Sequence, residues 1–119
     1  MTIHFDKISL AVEDFEKMVV FYGAVFQADF TQAEPVPGVK TFTGTIAGVE
    51  FALVPNVLAQ IEAEQARHQF HFIVEDVEKT IQLALANGGS ILDEAAERHG
   101  IITGAVYDPD GNPLVFVQN

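Results

Sequence analysis

Few side chains in this sequence have the chemistry to act on a small molecule. His71 is the foremost, because imidazole is the one side chain that ordinarily changes charge near neutral pH. It stands in Gln69-Phe70-His71-Phe72, where polar and apolar residues alternate. Alternation of period two puts Gln69 and His71 on one side of a strand and the two phenylalanines on the other. Lys7 and Ser9 occupy a matching frame in Lys7-Ile8-Ser9-Leu10, and Glu50 occupies a third, on the side away from Phe51 and Leu53. Lys7 and Glu50 carry opposite charges, so they could neutralise one another or orient a ligand. His71 could serve as a general acid or base, or simply hold a structural hydrogen bond. Tyr107 and Phe42 are further candidates whose side the pattern does not set. Nucleophilic chemistry has little support. Cysteine is absent, the only serines are Ser9 and Ser90, and neither Gly-x-Ser-x-Gly nor a glycine-rich phosphate loop occurs.

The elements that carry these residues occur twice. Val12–Lys17 and Val74–Lys79 share the pattern Val-Glu-Asp-x-Glu-Lys at an offset of 62 residues. The apolar positions before it match too, Ile8, Leu10 and Val12 against Phe70, Phe72 and Val74. A match with the same flanking pattern indicates internal duplication. In each copy a strand leads to an aspartate, Asp14 or Asp76, that can cap a helix by accepting from its free first-turn N–H groups. Phe15, Met18, Val19, Tyr22 and Val25 then follow helical spacing, as do Val77, Ile81, Ala84 and Leu85. Phe21 and Phe26 join Tyr22 as expected core. Asn87-Gly88-Gly89 should end the second helix. Strands are predicted at about 27–34, 39–47 and 49–55 in the first copy and about 90–94, 101–107 and 113–118 in the second. Residues 34–38 and Gly48 break the first set, and Asp108-Pro109-Asp110-Gly111-Asn112 breaks the second. The Asp108 turn reads as structural, and the stretch Glu94, Glu97, Arg98 and His99 as solvated surface. The prediction is an α+β fold of two tandem βαβββ modules, about 1–55 and 68–119, joined by a helical or irregular linker at about 56–67. The apolar faces of helix and strands must be buried together, so each module is a curled sheet backed by its helix.

The bulk numbers fit one domain of this kind and exclude several function classes. The 119 residues are 49% hydrophobic and 19% charged, which is globular rather than disordered. The formal net charge of −11 makes nucleic acid and anionic membranes poor partners, since phosphate binding needs clustered Lys and Arg. The same charge suits a cationic ligand, and in any case aids solubility. No segment reads as a secretory signal or a membrane span, so a cytoplasmic location is expected. So small a core makes a homodimer the expected state.

The stretches LAVEDFEKMVVFY at 10–22, FIVEDVEK at 72–79 and DPDGNPLVF at 108–116 resemble the glyoxalase / bleomycin-resistance / extradiol-dioxygenase superfamily, also called vicinal oxygen chelate proteins. The resemblance covers essentially the whole chain, as a single glyoxalase-like domain over 1–119. It implies a cupped mixed sheet around a small-molecule ligand, often across a dimer. Metal-dependent members place His or Glu at four cup positions. Here these fall on Lys7, on Glu50 (or, with a slip of two, Ala52), on Gln69 and on Val115. A protonated lysine has no lone pair, and valine cannot coordinate. A metal site of the family's kind needs about three protein ligands, so no metal and no other cofactor are expected. The residues expected to meet a ligand are Lys7, Ser9, Glu50, Gln69, His71 and Tyr107. The first function expected is metal-independent binding of a small molecule. The alternative is a lyase, isomerase or dioxygenase of the same superfamily. It would use a displaced metal site near Glu50 and His71, with His68 or His4, or metal-free acid/base chemistry.

Overall fold

Asp14 and Asp76 start the two helices by the same contact. In the computed structural model, which describes residues 4–55 and 68–119, the Lys17 N–H donates to Asp14 Oδ1 at 3.1 Å and the Lys79 N–H to Asp76 Oδ1 at 3.0 Å. Each cap occupies one of the donors that a helix start leaves without an internal partner. The second start is tied further, because Gln118 Oε1 accepts from the Val77 N–H at 2.9 Å.

The chain divides into two compact units, residues 1–62 and 63–119, here called module one and module two. Module one runs β1 (Lys7–Val12), α1 (Phe15–Phe26), β2 (Thr31–Val36), β3 (Val39–Ile46) and β4 (Val49–Pro55). Module two runs β5 (Phe70–Val74), α2 (Val77–Ala86), β6 (Ser90–Arg98), β7 (Ile101–Tyr107) and β8 (Pro113–Gln118). The sheets have the same order, β1-β4-β3-β2 and β5-β8-β7-β6. In each the first strand lies parallel to the last and the remaining pairs are antiparallel. This is the βαβββ unit expected from the repeat. The linker expected over 56–67 lies outside the described residues.

Packing in each module is helix against one sheet face. In module one Met18, Phe21 and Tyr22 are buried, with Phe51 and Leu53 from β4. Phe15 meets Phe42 at 5.3 Å between ring centroids, and Tyr22 meets Phe51 at 6.5 Å. These contacts settle Phe42 on the helix side. In module two Val77, Ile81 and Ala84 pack with Val106, Leu114 and Phe116. Leu85, expected on that apolar face, is 38% exposed. It lies at the margin of a stripe that 77, 81 and 84 already fill. At the end of α2, Gly88 has φ +99° and the Gly89 N–H donates to the Ala84 carbonyl at 2.9 Å, a Schellman closure.

Two strands differ from the pattern reading. β2 begins four residues later than expected and continues through Pro35. It is an edge strand whose register shifts between Ala33 and Val36, and such a place tolerates a proline that cannot donate. β6 runs on to Arg98, four residues past its expected end, through residues read as solvated surface and exposed in the strand. The Arg98 guanidinium explains the extension, donating to the Thr103 carbonyl at 2.8 Å, Thr103 Oγ1 at 2.9 Å and the Glu94 carbonyl at 3.1 Å. His99 and Gly100, both at positive φ, turn the hairpin at its exposed tip.

Candidate functional site

With the helices fixed to one face of each sheet, the opposite face is determined by alternation. In module one Lys7, Ser9 and Ala11 alternate with the helix-facing residues of β1. Cross-strand register places Lys7 beside Glu50 and Ser9 beside Ala52. It continues from Glu50 to Thr45, and from Ala52 through Thr43 to Thr31. Lys7, Ser9, Thr45 and Glu50 are exposed, whereas Ala52 and Val54 are buried. The helix-free face of module one is therefore an apolar floor on β4 with a polar row at one end.

Module two repeats the arrangement with other side chains. His71 lies beside Val115, and Val115 beside Ala105. Tyr107 lies between Pro113 and Ser90. Two-residue parity puts Tyr107 on the same face as His71, which resolves its side. Gln69 immediately precedes β5 and shares the parity of His71. Gln69 and His71 are exposed and Tyr107 half-buried. His68 is on the other side, its ring stacked on Phe70 at 6.5 Å between centroids and 7° between planes.

The six residues singled out from sequence thus fall on the helix-free faces, three to each module. Lys7 and Glu50 are brought side by side. Alternation alone could not show what else meets Glu50. In module one it lines an open polar depression with Thr31, Thr43, Thr45, Asp29 and Gln27. Its signal in the sequence was faint: Thr41, Thr43 and Thr45 at alternate positions of one strand.

The Asp108 turn is a closed arrangement. Asp108 is 2% exposed, and its Oδ1 accepts from the Asp110 and Asn112 N–H groups at 2.9 Å each. Oδ2 accepts from Asn112 Nδ2 at 2.8 Å. The carboxylate organises its own turn, as the residue types suggested.

Paired βαβββ modules with chemically varied helix-free faces define a class of proteins known for small-molecule sites. A family model of the Glyoxalase/Bleomycin resistance protein/Dioxygenase superfamily matches residues 4–116, and the chain belongs to that superfamily. Among solved structures, hypothetical protein SA1046 from S. aureus is similar with a TM-score of 0.82 at 19% identity, covering 100% of this chain and 96% of that one. A glyoxalase-related enzyme from Fulvimarina pelagi gives 0.79 at 23% identity, covering 98% and 88%. The fosfomycin resistance protein FosX from Listeria monocytogenes gives 0.79 at 19% identity, covering 100% and 95%. At such identities the likeness is one of fold. No curated protein matches the chain.

The superfamily implies a divalent metal in many members, and the donors present here do not fit one. Of Lys7, Glu50, Gln69 and Val115, only Glu50 is a strong metal ligand. Among the described residues no three His, Asp or Glu side chains gather in metal-binding range. The displaced set imagined around Glu50 and His71 loses His68, which faces away, and His4 lies outside β1.

Proposed function

We propose that this protein is a metal-independent small-molecule-binding protein of the glyoxalase/bleomycin-resistance type. The observation that carries the reading is the make-up of the helix-free faces. Ala52, Val54, Ala105, Val115 and Val117 supply small apolar surface. Lys7, Ser9 and Glu50 on one module, and Gln69, His71 and Tyr107 on the other, supply a few polar groups. On each module taken by itself, an apolar face carrying a few placed polar groups has the usual composition of a ligand site. The net charge of −11 favours a cationic ligand over an anionic one. The same reading takes the protein to be a cytoplasmic homodimer acting as a single domain, with no role for nucleic acid or membrane. No helix of the described residues is long and apolar enough to cross a bilayer.

The test is incubation with a panel of cationic and neutral aromatic compounds, followed by thermal melts and mass analysis of the recovered compound. A true ligand at a hundred times its Kd should stabilise the fold by about 2.7 kcal/mol and return chemically unchanged. His71→Ala should weaken binding by less than about tenfold. A chemically altered compound, with alteration abolished in His71→Ala, would establish the alternative instead. That alternative is a lyase, isomerase or dioxygenase of the same fold, and the exposure of His71 on the helix-free face favours it.

A further inference from the structure

An asparagine before a glycine can react with its own backbone, because glycine has no Cβ to shield its nitrogen from the neighbouring amide. The sequence holds one such pair, Asn87-Gly88 at the end of α2, and one aspartate counterpart, Asp110-Gly111. The structure separates the two. The Gly111 N–H is engaged, donating to the Asp108 carbonyl at 2.9 Å. Among the described residues no hydrogen bond engages the Gly88 N–H, and Gly88 is exposed. Asn112 precedes Pro113, whose nitrogen carries no hydrogen.

Three bonds hold the Asn87 turn closed. The Asn87 and Gly89 N–H groups donate to the Ala84 carbonyl at 3.1 and 2.9 Å, and Asn87 Nδ2 donates to the Leu83 carbonyl at 2.8 Å. At a ψ of 28° for Asn87, the Gly88 nitrogen points away from the Asn87 side chain. Ring closure therefore requires this last turn to open, and helix ends are among the first places to open locally.

We propose that Asn87 is a site of spontaneous covalent modification in the folded protein, reached by opening of the end of α2. The Gly88 nitrogen attacks Asn87 Cγ. An N–Cγ bond forms, the Cγ–Nδ2 bond breaks, and Nδ2 leaves as ammonia with the proton that the Gly88 nitrogen gives up. Water then opens the cyclic imide at either carbonyl, and no electrons are transferred. One opening leaves aspartate. The other leaves isoaspartate, in which the backbone runs through the side chain. Both products put a carboxylate at the C-terminal end of α2, where the helix dipole disfavours negative charge. Isoaspartate also lengthens the backbone inside the 84–89 closure, which breaks the bond from Gly89 to Ala84. A Cβ on Gly88 would lie 3.4 Å from Pro109 Cγ, so the altered end lies against the Asp108 turn. The modification does not depend on what the protein binds.

The experiment incubates the folded full chain at mildly alkaline pH, then maps tryptic peptides by mass. Cleavage after Lys79 and Arg98 isolates residues 80–98 from residues 99–119, which hold Asp110-Gly111 and Asn112. The 80–98 peptide should gain the mass of an amide-to-acid change and resolve into two isomers, one of them a substrate for an isoaspartate methyltransferase. Conversion should be about ten- to a hundredfold faster in concentrated urea, as for a native turn open about 1–10% of the time. Asn87→Gln keeps a donor for the Leu83 carbonyl but closes a less favoured, larger ring, and should lose the conversion. The isoaspartate form should melt below an Asn87→Asp variant, which gains the charge and keeps the backbone length. No conversion of 80–98 in the folded protein overturns the proposal, as does earlier change in 99–119. Undiminished conversion in Asn87→Gln would move the reaction to Gln82 and overturn it too. Equal rates with and without urea would remove the opening step, and equal melting of the two forms would remove the broken closure.

Discussion

Asp108 and Glu50 are both carboxylates in strand-end sequences, and their surroundings give them opposite roles. Asp108 is buried and accepts three hydrogen bonds within five residues of chain. Hydrogen bonds to a charged group contribute more than neutral ones, and removing the acceptor leaves the donors unsatisfied. Asp108→Ala should therefore cost about 2–3 kcal/mol of stability, read as a lower urea midpoint at unchanged slope. Asp108→Asn should recover part of the loss, since one carbonyl oxygen remains. A change below about 0.5 kcal/mol, the scale of an ordinary surface substitution, would mean the turn is held by its backbone alone. This role was legible in sequence, because Asp-Pro-Asp-Gly-Asn names a turn through residue types with known local hydrogen bonding. Glu50 was legible only in part. Period two placed it on the helix-free face, but its neighbour Lys7 depends on pairing between strands far apart in sequence. No local pattern encodes that pairing.

At the scale of elements, helix and sheet come close together at Gly104. A Cβ there would lie 2.6 Å from Ile81 Cδ1, 3.1 Å from Val77 Cγ1 and 3.3 Å from the Asp93 carbonyl oxygen. Glycine lets α2 settle directly on β7, which buries Val77 and Ile81. Overpacking of this kind typically costs about 1–3 kcal/mol, and Gly104→Ala should fall in that range by chemical denaturation. Ile81→Val removes the nearest atom, so the double variant should be less destabilised than the sum of the singles, with a coupling above about 0.5 kcal/mol. Strict additivity would place the clash elsewhere. Among the described residues, the helices and six of the eight strands were readable from periodicity and caps. β2 and β6 were not, for physical reasons visible in the structure. A bulged edge strand tolerates Pro35, and Arg98 holds a polar stretch in a ladder by bonds to Thr103 that hydropathy does not register.

For the molecule as a whole, association is governed by a competition between apolar surface and charge. Phe5 is 77% exposed and Ile73 75% exposed, the latter on the helix-free side of the edge strand β5. Ile91, Ile101 and Ile102 add exposed apolar surface on β6 and β7. Covering such groups is favourable at about 25 cal/mol per Å² of apolar area. Each copy also carries a formal charge of −11, so two copies repel. Salt screens that repulsion over a Debye length of about 10 Å at 0.1 M while leaving apolar burial in place. Dimerisation driven by these side chains should therefore strengthen as salt rises. Light scattering at low micromolar concentration should give twice 13.0 kDa, with the dimer fraction larger at high salt than at low. Ile73→Asp should shift the equilibrium toward monomer by removing apolar area and adding like charge. A dimer that weakens with salt would point to ion pairs as the driving contacts. A monomer mass at every salt concentration would remove the homodimer altogether, and the helix-free faces would then have to hold their ligand within one chain.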